Sequence, residues 1–285
     1  MAAIPGRLEK MRVHLPPVNA AQLKYFAALI MLIDHVTYTF LERAYTDGGQ
    51  PLMNVLPYGS FLDRLGRAAG RQAFPIFCFF LVEGFFYTRS RTRYFMQIMV
   101  FALVSQFPFQ KCFFPRSQTM HANVLFTLGI GLAAVWILEE IKKICAGGRA
   151  GAAGLYGRYG RSRQDGSGAA HLRDLLLQGL AAAAAAGTVY GAVFLARFLH
   201  SDYSYGGVIL IVLLYMLRGY RMTALFISWV WLSWYNRLEL YAAPAFFLLA
   251  CHNGQRGRQT KYFFYLFYPV HLALLLIIRG CFFGM

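Results

Sequence analysis

This sequence predicts an all-α, polytopic integral membrane protein of about nine transmembrane helices with a cytoplasmic N-terminus. Three observations predict it. The 285 residues are 58% hydrophobic and only 14% charged, whereas soluble domains carry about a quarter charged residues. The apolar residues fall in many long blocks, too many for the scarce polar sequence to cover as one soluble core. The basic residues also gather on alternate connections, which is how cytoplasmic loops set topology.

The expected spans are 22–42, 73–88, 94–110, 122–141, 174–199, 204–218, 222–236, 240–252 and 262–283. With the N-terminus inside, the inner segments hold Arg7, Lys10, Arg12 and Lys24, then Arg89, Arg91 and Arg93, then the basic run from Lys142 to Arg173. Arg218 with Arg221 follows, and finally Arg256, Arg258 and Lys261. The net charge of +16 is therefore read as topology, and no nucleic-acid partner is expected. Residues 1–22 have no apolar core and are not a cleavable signal. The five cysteines are scattered singly without metal-ligand spacing, so no metal is expected.

The first span carries Lys24 and His35 eleven residues apart, about three helical turns. Both project from one face, roughly 16 Å apart along the axis, together with Met31 and Glu42. Asp34 is rotated by one residue toward a neighbouring helix. Ionisable groups at this depth are functional by default, and imidazole is the natural general base. The bland reading is a polar pair that only joins helices.

Residues 60–72, "SFLDRLGRAAGRQ", read as an interfacial amphipathic helix. The second span, "GRQAFPIFCFFLVEGFFYTRSRTRY", opens at Arg71, contains Glu83 and closes on Arg89, Arg91 and Arg93, a cluster suited to phosphate. Ser105, Asn123, Asp202 and Tyr203 are weaker polar candidates for the substrate side. Residues 146–170, rich in Gly, Ala and Arg, read as a flexible cytoplasmic linker between a four-pass and a five-pass half. The last span, "KYFFYLFYPVHLALLL", repeats the pattern of the first. Lys261 marks the inner interface, His271 lies about 15 Å deeper with Tyr268 one turn before it, and Pro269 removes a backbone donor.

The blocks "LKYFAALIMLIDH", "GRQAFPIFCFFLVEGFFYT", "YFMQIMVFALVSQFPF", "NVLFTLGIGL", "DYSYGGV" and "KYFFYLFYPVHL" together resemble the TraX family of integral membrane proteins, whose founding members N-acetylate pilin. That family is similar in turn to wider transmembrane acyltransferases, which carry a basic residue, ten intervening residues and a histidine on an early helix. Lys24 and His35 match that spacing. The resemblance implies His35 as catalytic base and Lys24 on the side of acetyl-CoA.

The expectation is therefore one acyltransferase domain, 1–285, in the bacterial inner membrane. Acetyl-CoA is the acyl-donor co-substrate, held by Lys24, Arg71, Arg89, Arg91, Arg93 and Lys261. His35 acts as base or acyl carrier, with Asp34, Tyr268 and His271 orienting it. The acceptor is an amine or hydroxyl of a pilin-like N-terminus, small molecule or glycan, beside Glu83, Ser105, Asn123, Asp202 and Tyr203. The rival readings are a proton-coupled transporter using Asp34 and His35 as a relay, and a scaffold subunit.

Overall fold

The computed structural model describes residues 17–42, 51–115, 117–158, 167–260 and 262–283. Among them the fold is all-helical, with no strand. The helices are α1 (Ala20–Thr37), α2 (Leu52–Val55), α3 (Gly59–Gly70), α4 (Ala73–Tyr87), α5 (Arg91–Phe113), α6 (Val124–Arg158), α7 (Ser167–Phe198), α8 (Ser204–Met216), α9 (Arg221–Tyr235), α10 (Ala243–Ala250) and α11 (Phe263–Phe283). A π-helical turn, Tyr38–Glu42, extends α1, and a 3-10 segment, Arg237–Ala242, precedes α10.

Each segment expected as a span carries helix. Val124–Ala146, Leu175–Phe198 and Phe263–Phe282 are long and apolar enough to cross a membrane by length and composition. α10 has eight residues and rises about 12 Å alone, well short of a hydrocarbon core of about 30 Å.

The chain forms two compact units, one of residues 1–80 with 219–285 and the other of residues 81–218. In the second unit α6 and α7 pack together, through Ile130, Ala192, Val193 and Ala196. Residues 146–158 continue α6 and 167–170 begin α7, so the segment expected as a linker is largely helix, and 159–166 lie outside the described residues. Its alanines, the best helix formers, favour this despite the glycines. Gly131 of α6 is needed for close approach, because a Cβ there would stand 2.4 Å from Ile211 Cδ1.

The first unit is organised around α1. Asn19 caps it reciprocally with Gln22, each side chain accepting the other's backbone N–H at 3.0 Å. The loop after α10 satisfies two further amide donors of the first turn: Ala20 donates to Gln255 at 2.9 Å and Ala21 to Arg256 at 3.0 Å. At the other end the glycines of α3 lie directly against the Asp34 and Thr37 side chains of α1. A Cβ on Gly66 would stand 2.2 Å from Thr37 Oγ1, and one on Gly70 would stand 2.3 Å from Asp34 Cβ. Small residues four apart let helix backbones meet in this way.

The polarity of α3 is inverted. Asp63, Gly66 and Gly70 face inward while Phe61, Leu62 and Leu65 are exposed. The 3-10 segment repeats this, burying Glu239 and exposing Leu238, Leu240 and Tyr241. In water such an arrangement would be costly twice over, through desolvated charge and exposed apolar surface. It suits hydrocarbon surroundings. The helix expected at 60–72 thus turns Asp63 inward and leaves Arg64 exposed beside its apolar residues.

Candidate active site

His35 of α1 and His271 of α11 meet within the first unit. His35 Nδ1 and His271 Nε2 are 2.7 Å apart. The ring centroids are 5.0 Å apart with planes inclined by 16°. A centroid separation so much larger than the nitrogen gap places the rings edge to edge and nearly coplanar, which is the geometry of an in-plane N–H···N bond.

The proton positions follow from the next partner. His271 Nδ1 lies 2.6 Å from the carbonyl oxygen of Phe267, which only accepts, so this nitrogen carries the proton. With both rings neutral, His271 Nε2 is then an acceptor and His35 Nδ1–H donates to it. Neutral His35 consequently keeps its lone pair on Nε2. The chain Phe267 carbonyl, His271, His35 fixes the tautomer of His35 much as a carboxylate fixes the base of a hydrolytic triad. Here the supporting group is a neutral imidazole.

Aromatic packing holds the pair. The Phe267 ring lies 4.8 Å from His271, and Tyr268 meets both imidazoles edge-on, at 6.1 Å from His35 and 5.5 Å from His271. Tyr268 and His271 are buried. Pro269 sits inside α11 between them.

Asp34 turns the opposite way, onto α3. Its Oδ1 accepts from Arg67 at 2.7 Å and from Arg71 at 3.5 Å. Arg67 also reaches Glu42 at 3.1 Å and lies 4.5 Å over the Tyr38 ring, while Arg71 reaches the buried Glu239 at 3.3 Å. One guanidinium thus touches Asp34, Tyr38 and Glu42. The sequence reading put Glu42 on the face of Lys24 and His35. The π turn widens the helix over Tyr38–Glu42 and swings Glu42 toward Asp34 and Arg67.

Lys24 lies among α4, α11 and the loop after α10. Its Nζ lies 5.0 Å over Phe80, 5.9 Å over Phe264 and 3.5 Å from Gln259 Oε1. Tyr25 packs on Phe263 and Phe264 with centroids about 5 Å apart. Aromatic side chains of α11 therefore run beside α1 from Lys24 down to His35.

The remaining candidates are placed otherwise. Arg71 is engaged by carboxylates. Lys261 lies outside the described residues. Arg89, Arg91 and Arg93 belong to the other unit, where Arg91 pairs with Glu140 at 2.8 Å and Arg89 and Arg93 are exposed. Glu83 pairs with Arg218 at 2.9 Å. Asn123 is fully buried and knits α6 to α5, donating to Ala102 at 2.7 Å and to Gln106 at 3.0 Å. Ser105 is buried in α5. Asp202 accepts from the Tyr203 backbone at 3.1 Å, and Tyr203 opens α8 in a left-handed conformation. Structural roles account for these contacts. No cluster of potential metal ligands exists among the described residues.

Sequence reasoning missed Arg67 and Glu239. The repeat "GRAAGR", Gly66 to Arg71, contains the signal for the first: glycines four apart for contact, each followed by an arginine that reaches around the contact.

No solved structure matches the chain. Among curated proteins, the probable fimbrial assembly protein FimC of Dichelobacter nodosus is 33% identical over 128 residues, which are 42% of this chain and 46% of that protein. The match thus spans less than half of the relative's length. The family model for TraX protein matches residues 19–157 and 173–279. With most of the sequence covered, including α1, α11 and both histidines, the chain belongs to the TraX family.

Proposed function

We propose that this protein is a membrane-embedded acetyltransferase that moves an acetyl group from cytoplasmic acetyl-CoA to an amine or hydroxyl acceptor. The observation that carries this reading is the histidine pair, which leaves His35 Nε2 as the basic nitrogen. Lys24 marks the donor side, about 16 Å away along α1. A pantetheine arm is of comparable length.

In the proposed mechanism the acceptor's amine or hydroxyl attacks the thioester carbonyl as His35 Nε2 takes its proton. The resulting imidazolium keeps its Nδ1–H on His271. Collapse of the tetrahedral intermediate expels the CoA thiolate, which receives the proton from His35, leaving the acetylated acceptor. Tyr268, edge-on to both imidazoles, is the proposed oxyanion donor. Asp34 serves as the anchor of α3, not as a base. The family points to pilus-related acceptors, and the fimbrial assembly role named for the relative agrees with a pilin-like N-terminus. The proposed topology is about nine passes in the bacterial inner membrane, N-terminus inside.

The test is transfer from labelled acetyl-CoA by purified protein to peptide or amine acceptors. His35→Ala should lower transfer by about 10²–10⁴-fold while the protein still folds and inserts. Wild-type turnover by that variant would sink the reading.

A further inference from the structure

We infer that the loop after α10 and the start of α1 form a phosphate-binding site, built from Lys24, Arg256, Arg258 and Gln259. Its nucleotide form rests on the acetyl-CoA reading above; the phosphate site itself does not.

The first observation is uncompensated charge. Residues 17–33 contain no Asp or Glu, and neither do residues 240–285. These are the segments that meet at this end of the unit. Arg256 is near enough to Lys24 to act on it electrostatically, as a like charge. Among the described residues Lys24, Arg256 and Arg258 make no ion pair with a carboxylate. At the far end of α1, by contrast, Asp34, Glu42 and Glu239 are each paired with arginine. Lys24 lies over Phe80 and Phe264, and with no acid paired to these cations among the described residues the counter-charge is left to a ligand.

The second observation is that the loop is built. Val18 accepts from Asn253 N–H at 3.1 Å and from His252 Nδ1 at 3.0 Å, and the loop carbonyls of Gln255 and Arg256 cap α1. Gly257 has φ +68°, and a Cβ there would stand 2.3 Å from Asn19 Oδ1. Only glycine fits both the left-handed turn and the close approach. Arg256 and Arg258 flank this pinned residue. Gln259 accepts from Lys24 and keeps its amide N–H groups as donors.

Two guanidinium groups and an ammonium with no competing acid suit a phosphate dianion or diphosphate, which arginine binds in a bidentate manner. Two sources offer that chemistry near a membrane surface, the phosphates of CoA and a phospholipid headgroup. The sequence reading counted Arg256 and Arg258 only as topology charge.

The experiment measures ligand-induced stabilisation of the purified full chain, as wild type, Arg256→Gln/Arg258→Gln and Gly257→Ala. Probes are CoA, dephospho-CoA, pantetheine, and nanodiscs of phosphatidylglycerol against phosphatidylcholine. Both arginines are exposed, so the double variant should fold normally. The expected result is stabilisation by CoA, little by pantetheine, and CoA affinity at least about tenfold weaker in both variants, since each charge-assisted contact contributes measurably. Gly257→Ala removes no charge, so its loss separates a built site from a diffuse basic rim. Stabilisation by phosphatidylglycerol but not CoA, lost in the variants, keeps the phosphate site, makes its ligand a lipid and overturns the acetyl-CoA reading. Phosphate ligands that stabilise neither wild type nor variants, or stabilise all of them equally, overturn the site.

Discussion

His35 and His271 stand 236 positions apart in sequence and 2.7 Å apart in space, joining the first long helix to the last. If His271 fixes the tautomer of His35, its loss should damage catalysis differently from the loss of His35 itself. His35→Ala should lower kcat by about 10²–10⁴-fold, the usual weight of a general base. His271→Phe should lower kcat with little change in KM and displace the pH–rate profile, because Nδ1–H of His35 loses its acceptor. Labelled acetyl-CoA assays across pH check this. An unchanged profile in His271→Phe removes the relay.

Arg67→Ala should destabilise the protein by about 1–3 kcal/mol, because Asp34 loses its shortest partner and keeps only the longer contact to Arg71. Asp34 is buried and Glu42 loses the same guanidinium. Arg67→Ala combined with Asp34→Asn should recover part of the loss. Denaturation in detergent reads both, and a wild-type transition for Arg67→Ala counts against the clamp.

Gly70→Ala tests the helix contact. The added carbon would stand 2.3 Å from Asp34 Cβ, so α1 and α3 must separate, at a cost of about 1–3 kcal/mol for overpacking. Ala68→Ser, on the same helix but outside this contact, is the control and should melt as wild type does.

The outward apolar faces predict where lipid lies. A nitroxide attached at Leu65→Cys or Tyr241→Cys, in reconstituted protein, should be relaxed more by oxygen than by a water-soluble nickel chelate. The reverse order would place α3 in water.

His121, on the connection between α5 and α6, stacks on Phe114 at 4.0 Å. Burial first, and the nearby His200 second, lower its pKa below the ordinary value. The fold thus favours the neutral ring. Its stability is complete above the unfolded-state pKa of about 6.5 and declines as pH falls below that value, where the unfolded chain binds the proton more readily. Melting temperature should fall from pH 7.5 to 5.5, with a shallower slope in His121→Gln.

Much of this arrangement is legible in the sequence. Helical spacing puts Lys24 and His35 on one face, and the structure turns both toward α11. Matched depth on the first and last spans pairs His35 with His271. The failures have local causes. The position of Glu42 depends on a π turn, which a uniform 100° step cannot anticipate. Arg71 faces Asp34 and Glu239 because α3 lies inside out, whereas an amphipathic pattern reveals two faces and not which one is inward. Arg256 and Gln259 came near Lys24 through a loop pinned by backbone bonds, and backbone bonds leave little trace in side-chain pattern.

In the proposed topology the inverted helix also constrains biogenesis. Arg67 and Arg71 on α3, and Asp34 and Glu42 at the end of α1, are each unfavourable in hydrocarbon while the other set is absent. Neither segment reaches its final depth cheaply by itself. The nascent chain therefore has reason to release α1 and α3 from the insertion machinery as a pre-paired hairpin, neutralised before it meets lipid. A substitution in "GRAAGR" would then first appear as protein that fails to accumulate in the membrane, before any defect in turnover could be measured.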